Sequence, residues 1–299
     1  MRVEKKSASN LDARPRRSAL YMPGANSRAL EKARGLNADV LILDLEDAVS
    51  PESKEVARQQ VCHAVAQGGY GPREIVIRVN GLDTHWGAAD IAAANQAMPD
   101  AILVPKIYSA ADVEAAQEQL ADGIALWVMI ETPAAIFNLA SISAQAASTS
   151  LAGFVMGTND LLKDMRALAM PARDNLLSIL SSSVLAARKD QIFILDGVFN
   201  DLDDAHGLQS ECEQGRAFGF DGKTLIHPSQ LEAANQSFGP SEADVELAQQ
   251  IVDAFLDPAN AGKGVLRVNG KMTEILHKEV AERLLKVHAE IMAKQDAVS

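Results

Sequence analysis

Eight short runs of β character recur along the chain, with helical stretches between them. They are Ser18–Met22, Val40–Leu45, Ile75–Asn80, Ala101–Pro105, Leu126–Glu131, Gly153–Met156, Ile192–Phe199 and Gly222–His227. Strands alternating with helices imply parallel pairing through crossovers. Eight such units predict an α/β fold, a closed (β/α)8 TIM barrel; an open doubly wound sheet is the competing arrangement. A chain of 299 residues holds one barrel of typical size, and two average domains would use the same length. The punctuation between runs is helical. Ser50 precedes Pro51, Ser109 stands three before Asp112, and Ser241 stands three before Asp244, all N-terminal signals.

The second run, VLILDLEDAV, turns from apolar to acidic within ten residues. In a strand its side chains alternate, so Val40, Ile42, Asp44 and Glu46 share one face. Acids are tolerated there only at a strand end, where water, a cation or donors reach them. α/β enzymes build their sites at such ends. The other strand ends carry chemistry too. Arg78 shares a face with Asn80, and a strand arginine is costly unless it meets a carboxylate or an anionic ligand. Asp44 or Glu46 can supply that carboxylate in a purely structural pair. Lys106 follows Val104-Pro105; it suits either a Schiff base with a carbonyl substrate or an ion pair with nearby acids. Glu131 and Asp160 follow successive strands, so a barrel sets them side by side. Two adjacent carboxylates repel unless they share a proton or a cation, and an oxygen-only pair suits Mg²⁺ with its waters. Asp160 also fits as a helix N-cap, and Glu131 as a paired charge. Arg28 and Lys32, four apart, share a helix face that serves either as a phosphate site or as a solvated basic surface. Of Asp201, Asp203 and Asp204, one is expected to cap the next helix.

The net charge of −12 argues against nucleic-acid or anionic-membrane partners. No apolar run is long enough for a bilayer span. Cys62 and Cys212 are too few for a disulfide scaffold, and reduced thiols point to a cytoplasmic protein. Residues 1–17 are polar, basic and without pattern, which predicts a disordered tail. Residues 18–256 then form the barrel. Residues 257–299 form a linker and an extension, with a short strand at Val265–Val268 and a helix over Thr273–Lys294. The extension is expected to pack on a neighbouring subunit.

Seven motifs in order, YMPG, LILDLEDAV, IRVNGLDT, VPK, MIETP, GTNDL and GFDGKTLIHPSQ, resemble the citrate lyase β-subunit-like (HpcH/HpaI aldolase) family from about Ser18 to Gly239. The resemblance implies a barrel, usually trimeric, that binds Mg²⁺ and a CoA thioester. It implies Glu131 and Asp160 as metal ligands and Arg78 as the grip on the substrate's carboxylate or carbonyl. Tyr21, Arg28 and Lys32 would lie along the CoA, with Asn200 and Asp201 near its thioester. Glu46 and Asp47 would support the metal's waters or Arg78. The family's tail aspartate, an acid/base donated by a neighbouring subunit, is Glu274 here, one methylene longer. The implied reaction is Mg²⁺-dependent cleavage or formation of a 3-hydroxyacyl-CoA, such as malyl-CoA or citramalyl-CoA, to acetyl-CoA and an α-keto acid. The alternatives are a malyl-CoA-type thioesterase, a CoA-independent keto-acid aldolase, and a lyase β subunit acting in a complex.

Overall fold

The protein is described by a computed structural model over residues 14–296. Eight parallel strands close a barrel in sequence order: β1 Ser18–Pro23, β2 Val40–Asp44, β3 Glu74–Arg78, β4 Ala101–Val104, β5 Ala125–Ile130, β6 Leu151–Met156, β7 Phe193–Asp196 and β8 Gly222–Leu225. All eight predicted runs are present and β8 pairs back to β1, so the open sheet is ruled out. The helices between them are α1 Ser27–Ala33, α2 Lys54–Gln67, α3 Gly87–Ala97, α4 Ala110–Gln117 and α5 Pro133–Ala144. Two more, α6 Thr158–Asp164 and α7 Leu177–Lys189, follow β6; α8 Ala205–Phe218 follows β7 and α9 Leu231–Phe238 follows β8.

Alternation along each strand builds two apolar layers. Val40, Ile42, Val76, Leu103 and Val155 fill the barrel interior, while Leu41, Leu43, Ile77 and Ile102 meet the helices. At the N-terminal end Trp127 meets Phe193 edge to face, with centroids 4.6 Å apart. Gly153 makes this possible, because a Cβ there would lie 2.2 Å from the Phe193 ring. Arg16 closes the same end. Its guanidinium carbon lies 4.1 Å from the Phe193 centroid, and its Nε pairs with Glu74 at 2.6 Å. Arg17 donates to Asp39 from its backbone and its side chain. The expectation of a disordered tail through residue 17 is therefore corrected at these two arginines, whose burial is carried by buried acids. Residues 1–13 of that expected tail lie outside the described residues.

The outer face of β7 and β8 holds a buried quartet that the sequence pattern did not single out. Lys223 Nζ donates to Asp196 at 3.2 Å and to Glu211 at 2.5 Å, and Arg173 Nη1 donates to both Asp196 oxygens. Burial works against the Asp196 charge, yet Lys223 and Arg173 hold its carboxyl below the usual range. Two cations and two anions balance, and the quartet joins the loop after α6, α8 and both strands.

Residues 239–296, with Arg14 and Pro15, form a second compact unit. The expected boundary at 256/257 thus moves to 238/239. The reason is packing: α10, Glu242–Leu256, buries Ala248 and Val252 in one cluster with Ala281 of α11, Ile275–Asp296. Between these helices β9, Val265–Val268, pairs antiparallel with β10, Lys271–Glu274. Asn269 and Gly270 turn the hairpin with φ of 49° and 80°. The helix predicted from Thr273 accordingly starts at Ile275, its first two residues being strand. Among the described residues no helix is long and apolar enough to cross a membrane.

Candidate active site

The C-terminal rim of the barrel gathers most of the predicted residues. Register places Asp44 directly beside Arg78 on neighbouring strands, both facing inward. Arg78 Nε and Nη2 each donate to an Asp44 oxygen at 2.6 Å, a bidentate grip. Nη1 lies 2.8 Å from Glu46 Oε2, without hydrogen-bond alignment, and 3.4 Å from Asp47 Oδ2. The Tyr21 ring stacks on the guanidinium at 4.6 Å. Both readings of Arg78 therefore meet: it is paired with Asp44 and it stands at the rim.

The environment divides the acids. Burial opposes the Asp44 charge, but Arg78 and the backbone N–H groups of Glu46 and Ala48 hold its carboxyl below the ordinary range. Burial pushes Glu46 up to about 8, against the pull of Arg78, so it carries a proton near neutrality. Burial raises the Tyr21 phenol as well, which keeps it neutral.

The Glu46 shift has a stability consequence. The folded carboxyl holds its proton to about pH 8, whereas its unperturbed value is 4.5. Between those values the folded state binds more protons, so stability falls as pH rises. Glu46→Gln removes this titration. Denaturant melts are expected to show the variant gaining on the wild type steadily from pH 5 to pH 8, and a constant difference would contradict the assignment.

Glu131 and Asp160 converge as expected, and Lys106 lies between them. Lys106 Nζ is 2.7 Å from Asp160 Oδ2 and 3.3 Å from Glu131 Oε1, and its backbone N–H donates to Glu131 Oε1 at 2.7 Å. Burial disfavours the Lys106 charge, but the Asp160 hydrogen bond and the Glu131 charge outweigh it and raise the pKa. A lysine held as ammonium is a poor amine nucleophile, so the ion-pair reading is the one met and the Schiff-base reading loses its support. Asp160 is not an N-cap; it sits in the first turn of α6, which Gly157 caps without a side chain. Burial raises the Glu131 carboxyl, with Lys106 opposing.

The donor set suits a hard divalent cation. Glu131 Oε2 is buried with no hydrogen-bond partner. A Cβ at Gly157 would lie 2.6 Å from that oxygen, so glycine leaves it room. Glu131 and Asp160 supply oxygen only, and among the described residues no group of three potential ligands of the His, Cys, Asp and Glu types gathers. Such a pair fits an ion that keeps several waters, as Mg²⁺ does.

The remaining candidates lie outside these ion pairs. Asn200 exchanges amide hydrogen bonds with Asn159 at 2.8 and 3.2 Å, one residue from Asp160. Asp201 is exposed and accepts from the Asp203 N–H, while Asp204 caps α8. Arg28 and Lys32 are exposed on α1. Glu274 belongs to β10 of the C-terminal unit, where its N–H donates to His277 Nδ1 at 2.9 Å.

The supporting roles of two residues, Lys54 and Asn80, escaped sequence reasoning. Lys54 is buried and donates to the carbonyls of Leu45 and Glu46 at 2.9 and 2.7 Å. Asn80 donates to the Leu45 carbonyl and to Asp90, which Arg58 holds at 2.6 Å. Together they fix the backbone that presents Glu46. No local signal marks Lys54, because its partners are carbonyls.

The HpcH/HpaI aldolase/citrate lyase family model matches residues 17–228. A (3S)-malyl-CoA thioesterase of Cereibacter sphaeroides is 48% identical over 273 residues, covering 91% of this chain and 94% of that protein. The citrate lyase subunit beta of Escherichia coli is 32% identical, covering 87% and 89%. Among solved structures, the Mycobacterium tuberculosis protein CitE in complex with magnesium, acetoacetate and coenzyme A superposes with a TM-score of 0.74 at 27% identity, over 93% of this chain and 99% of that one. The chain therefore belongs to the HpcH/HpaI aldolase/citrate lyase family and is an enzyme of that lyase family.

Proposed function

We propose that the enzyme cleaves the C2–C3 bond of a short 3-hydroxyacyl-CoA of the malyl-CoA kind, giving acetyl-CoA and an α-keto acid, with Mg²⁺ held by Glu131 and Asp160. The observation that carries this is the buried, unpartnered Glu131 oxygen beside Asp160, at the rim where Arg78 is fixed. CitE, in a structure holding magnesium, acetoacetate and coenzyme A, supports the ligand set. When bound, Mg²⁺ supplies Lewis-acid charge at the keto acid's oxygens.

The chain's own residues do the rest. Arg78, locked by Asp44, offers a fixed cation to the oxygen on which charge develops. A base takes the hydroxyl proton, the C2–C3 electrons pass to the thioester's α-carbon as an enolate, and an acid returns a proton to that carbon. Glu46, with a carboxyl that titrates near neutrality, suits a proton exchange beside Arg78. Glu274, donated by a neighbouring subunit of a trimer, is assigned the proton transfer at the α-carbon. Tyr21, Arg28, Lys32, Asn200 and Asp201 are assigned to the CoA and thioester side, and Asp47 to the support of Arg78.

One observation favours a second outcome on the same substrate. The 48% identical relatives are named (3S)-malyl-CoA thioesterases, in which water takes the acyl group. Incubation with malyl-CoA and Mg²⁺ decides: acetyl-CoA with glyoxylate supports cleavage, and free CoA with malate supports hydrolysis. In the cleavage assay Glu274→Gln is expected to lose about 10²-fold or more in turnover, with Mg²⁺ binding retained. Unchanged turnover would remove Glu274 from the mechanism.

A further inference from the structure

Lys106 holds an unusual position at the carboxylate pair. Its backbone has φ of 55°, in the left-handed region that side chains other than Asn and Asp rarely adopt. That conformation turns its N–H onto Glu131 Oε1 while its ammonium reaches both Glu131 and Asp160. The ammonium thus uses Glu131 Oε1 and Asp160 Oδ2, and Glu131 Oε2 is buried without a hydrogen-bond partner. The lysine side chain is 28% exposed, in contrast to Arg78 at 8%. Its head can swing toward water once another cation takes its place on the buried Glu131, whereas the Arg78 guanidinium is itself buried.

We propose that Lys106 sets the affinity of the Glu131–Asp160 pair for a divalent cation by competing with it for the same oxygens. The inference rests on the assignment of that pair as the metal site. Its consequence is that metal binds weakly to the free enzyme. Occupancy then rises when a chelating hydroxy or keto acid adds its own oxygens, which couples metal loading to substrate. Lys106 acts here through the carboxylates as a positioning residue. Lys163, also near Asp160, is 3.9 Å away and 78% exposed, too loose to serve in its place.

The test is calorimetric titration of MgCl₂ into the full chain without substrate, with thermal melts alongside. Lys106→Asn removes the charge and tolerates the left-handed backbone, and Lys106→Gly does so by a second route. Both are expected to bind Mg²⁺ about tenfold more tightly than wild type, with a larger Mg²⁺-induced rise in Tm. Lys106→Arg keeps a bridging cation and should stay within about twofold of wild type. If wild type binds, Glu131→Gln does not, and the two neutral variants bind no more tightly, the role of Lys106 is overturned while the metal site stands. If neither wild type nor the neutral variants bind Mg²⁺, the metal site itself falls and this inference with it.

Discussion

Arg78→Met is expected to destabilise the barrel by about 3–5 kcal/mol and to lower turnover about 10³-fold. Asp44 is wholly buried and takes both of its short hydrogen bonds from this guanidinium. Removing the cation leaves Asp44 either charged without compensation or protonated at a cost, and Glu46 loses its nearest positive neighbour. Denaturant unfolding measures the first effect and the product assay the second. Adding Asp44→Asn in the same chain separates them. The double variant has no buried charge left unpaired, so most of the lost stability should return, while turnover should not. A single variant within about 1 kcal/mol of wild type would show that the pair is not the structural lock described here. Arg78→Lys should fall between, since one ammonium cannot reproduce the two parallel bonds to Asp44.

The sequence made this pair legible because parity does not depend on tertiary detail. Once Asp44 and Arg78 fall on the inward face of adjacent parallel strands, the register brings them together. The same logic found Glu131 and Asp160, which follow neighbouring strands. Long-range partners were invisible for the converse reason. Lys223 and Arg173 neutralise Asp196 and Glu211 across four elements, and no spacing along the chain encodes that meeting. Arg16 and Arg17 looked like a basic tail because their acids, Glu74 and Asp39, are distant in sequence. β10 was legible and passed over: Asn269-Gly270 directly after Val265–Val268 is a hairpin signal with a defined backbone demand. Lys106 exposed the limit of strand-end reasoning. Its residue type was noted, but the left-handed backbone that aims it between two acids is a property of the folded loop.

Glu131→Gln carries the other large effect, and its two halves run in opposite directions. Glutamine keeps the shape, and its oxygen can still accept the Lys106 N–H that Glu131 Oε1 accepts at 2.7 Å. What it removes is a carboxylate whose pKa burial has raised in the folded state. In the metal-free wild type that raised value makes ionisation costly, so stability declines as pH rises past the unfolded value. The variant escapes the decline and is expected to be at least as stable as wild type at pH 8 without metal. With Mg²⁺ the order reverses. A ligand bound only to the folded state stabilises it by about 2.7 kcal/mol at a hundred times its Kd, and the variant forfeits that gain. Turnover should drop about 10³-fold or more, because the charge that organises the keto-acid oxygens goes with the metal. Melts with and without Mg²⁺ at pH 8 therefore cross: wild type responds, Glu131→Gln does not. A variant that still shifts with Mg²⁺, or turns over within about tenfold of wild type, would move the metal away from Glu131. A variant that loses the shift but is less stable than wild type without metal would instead make Glu131 a structural partner of Lys106.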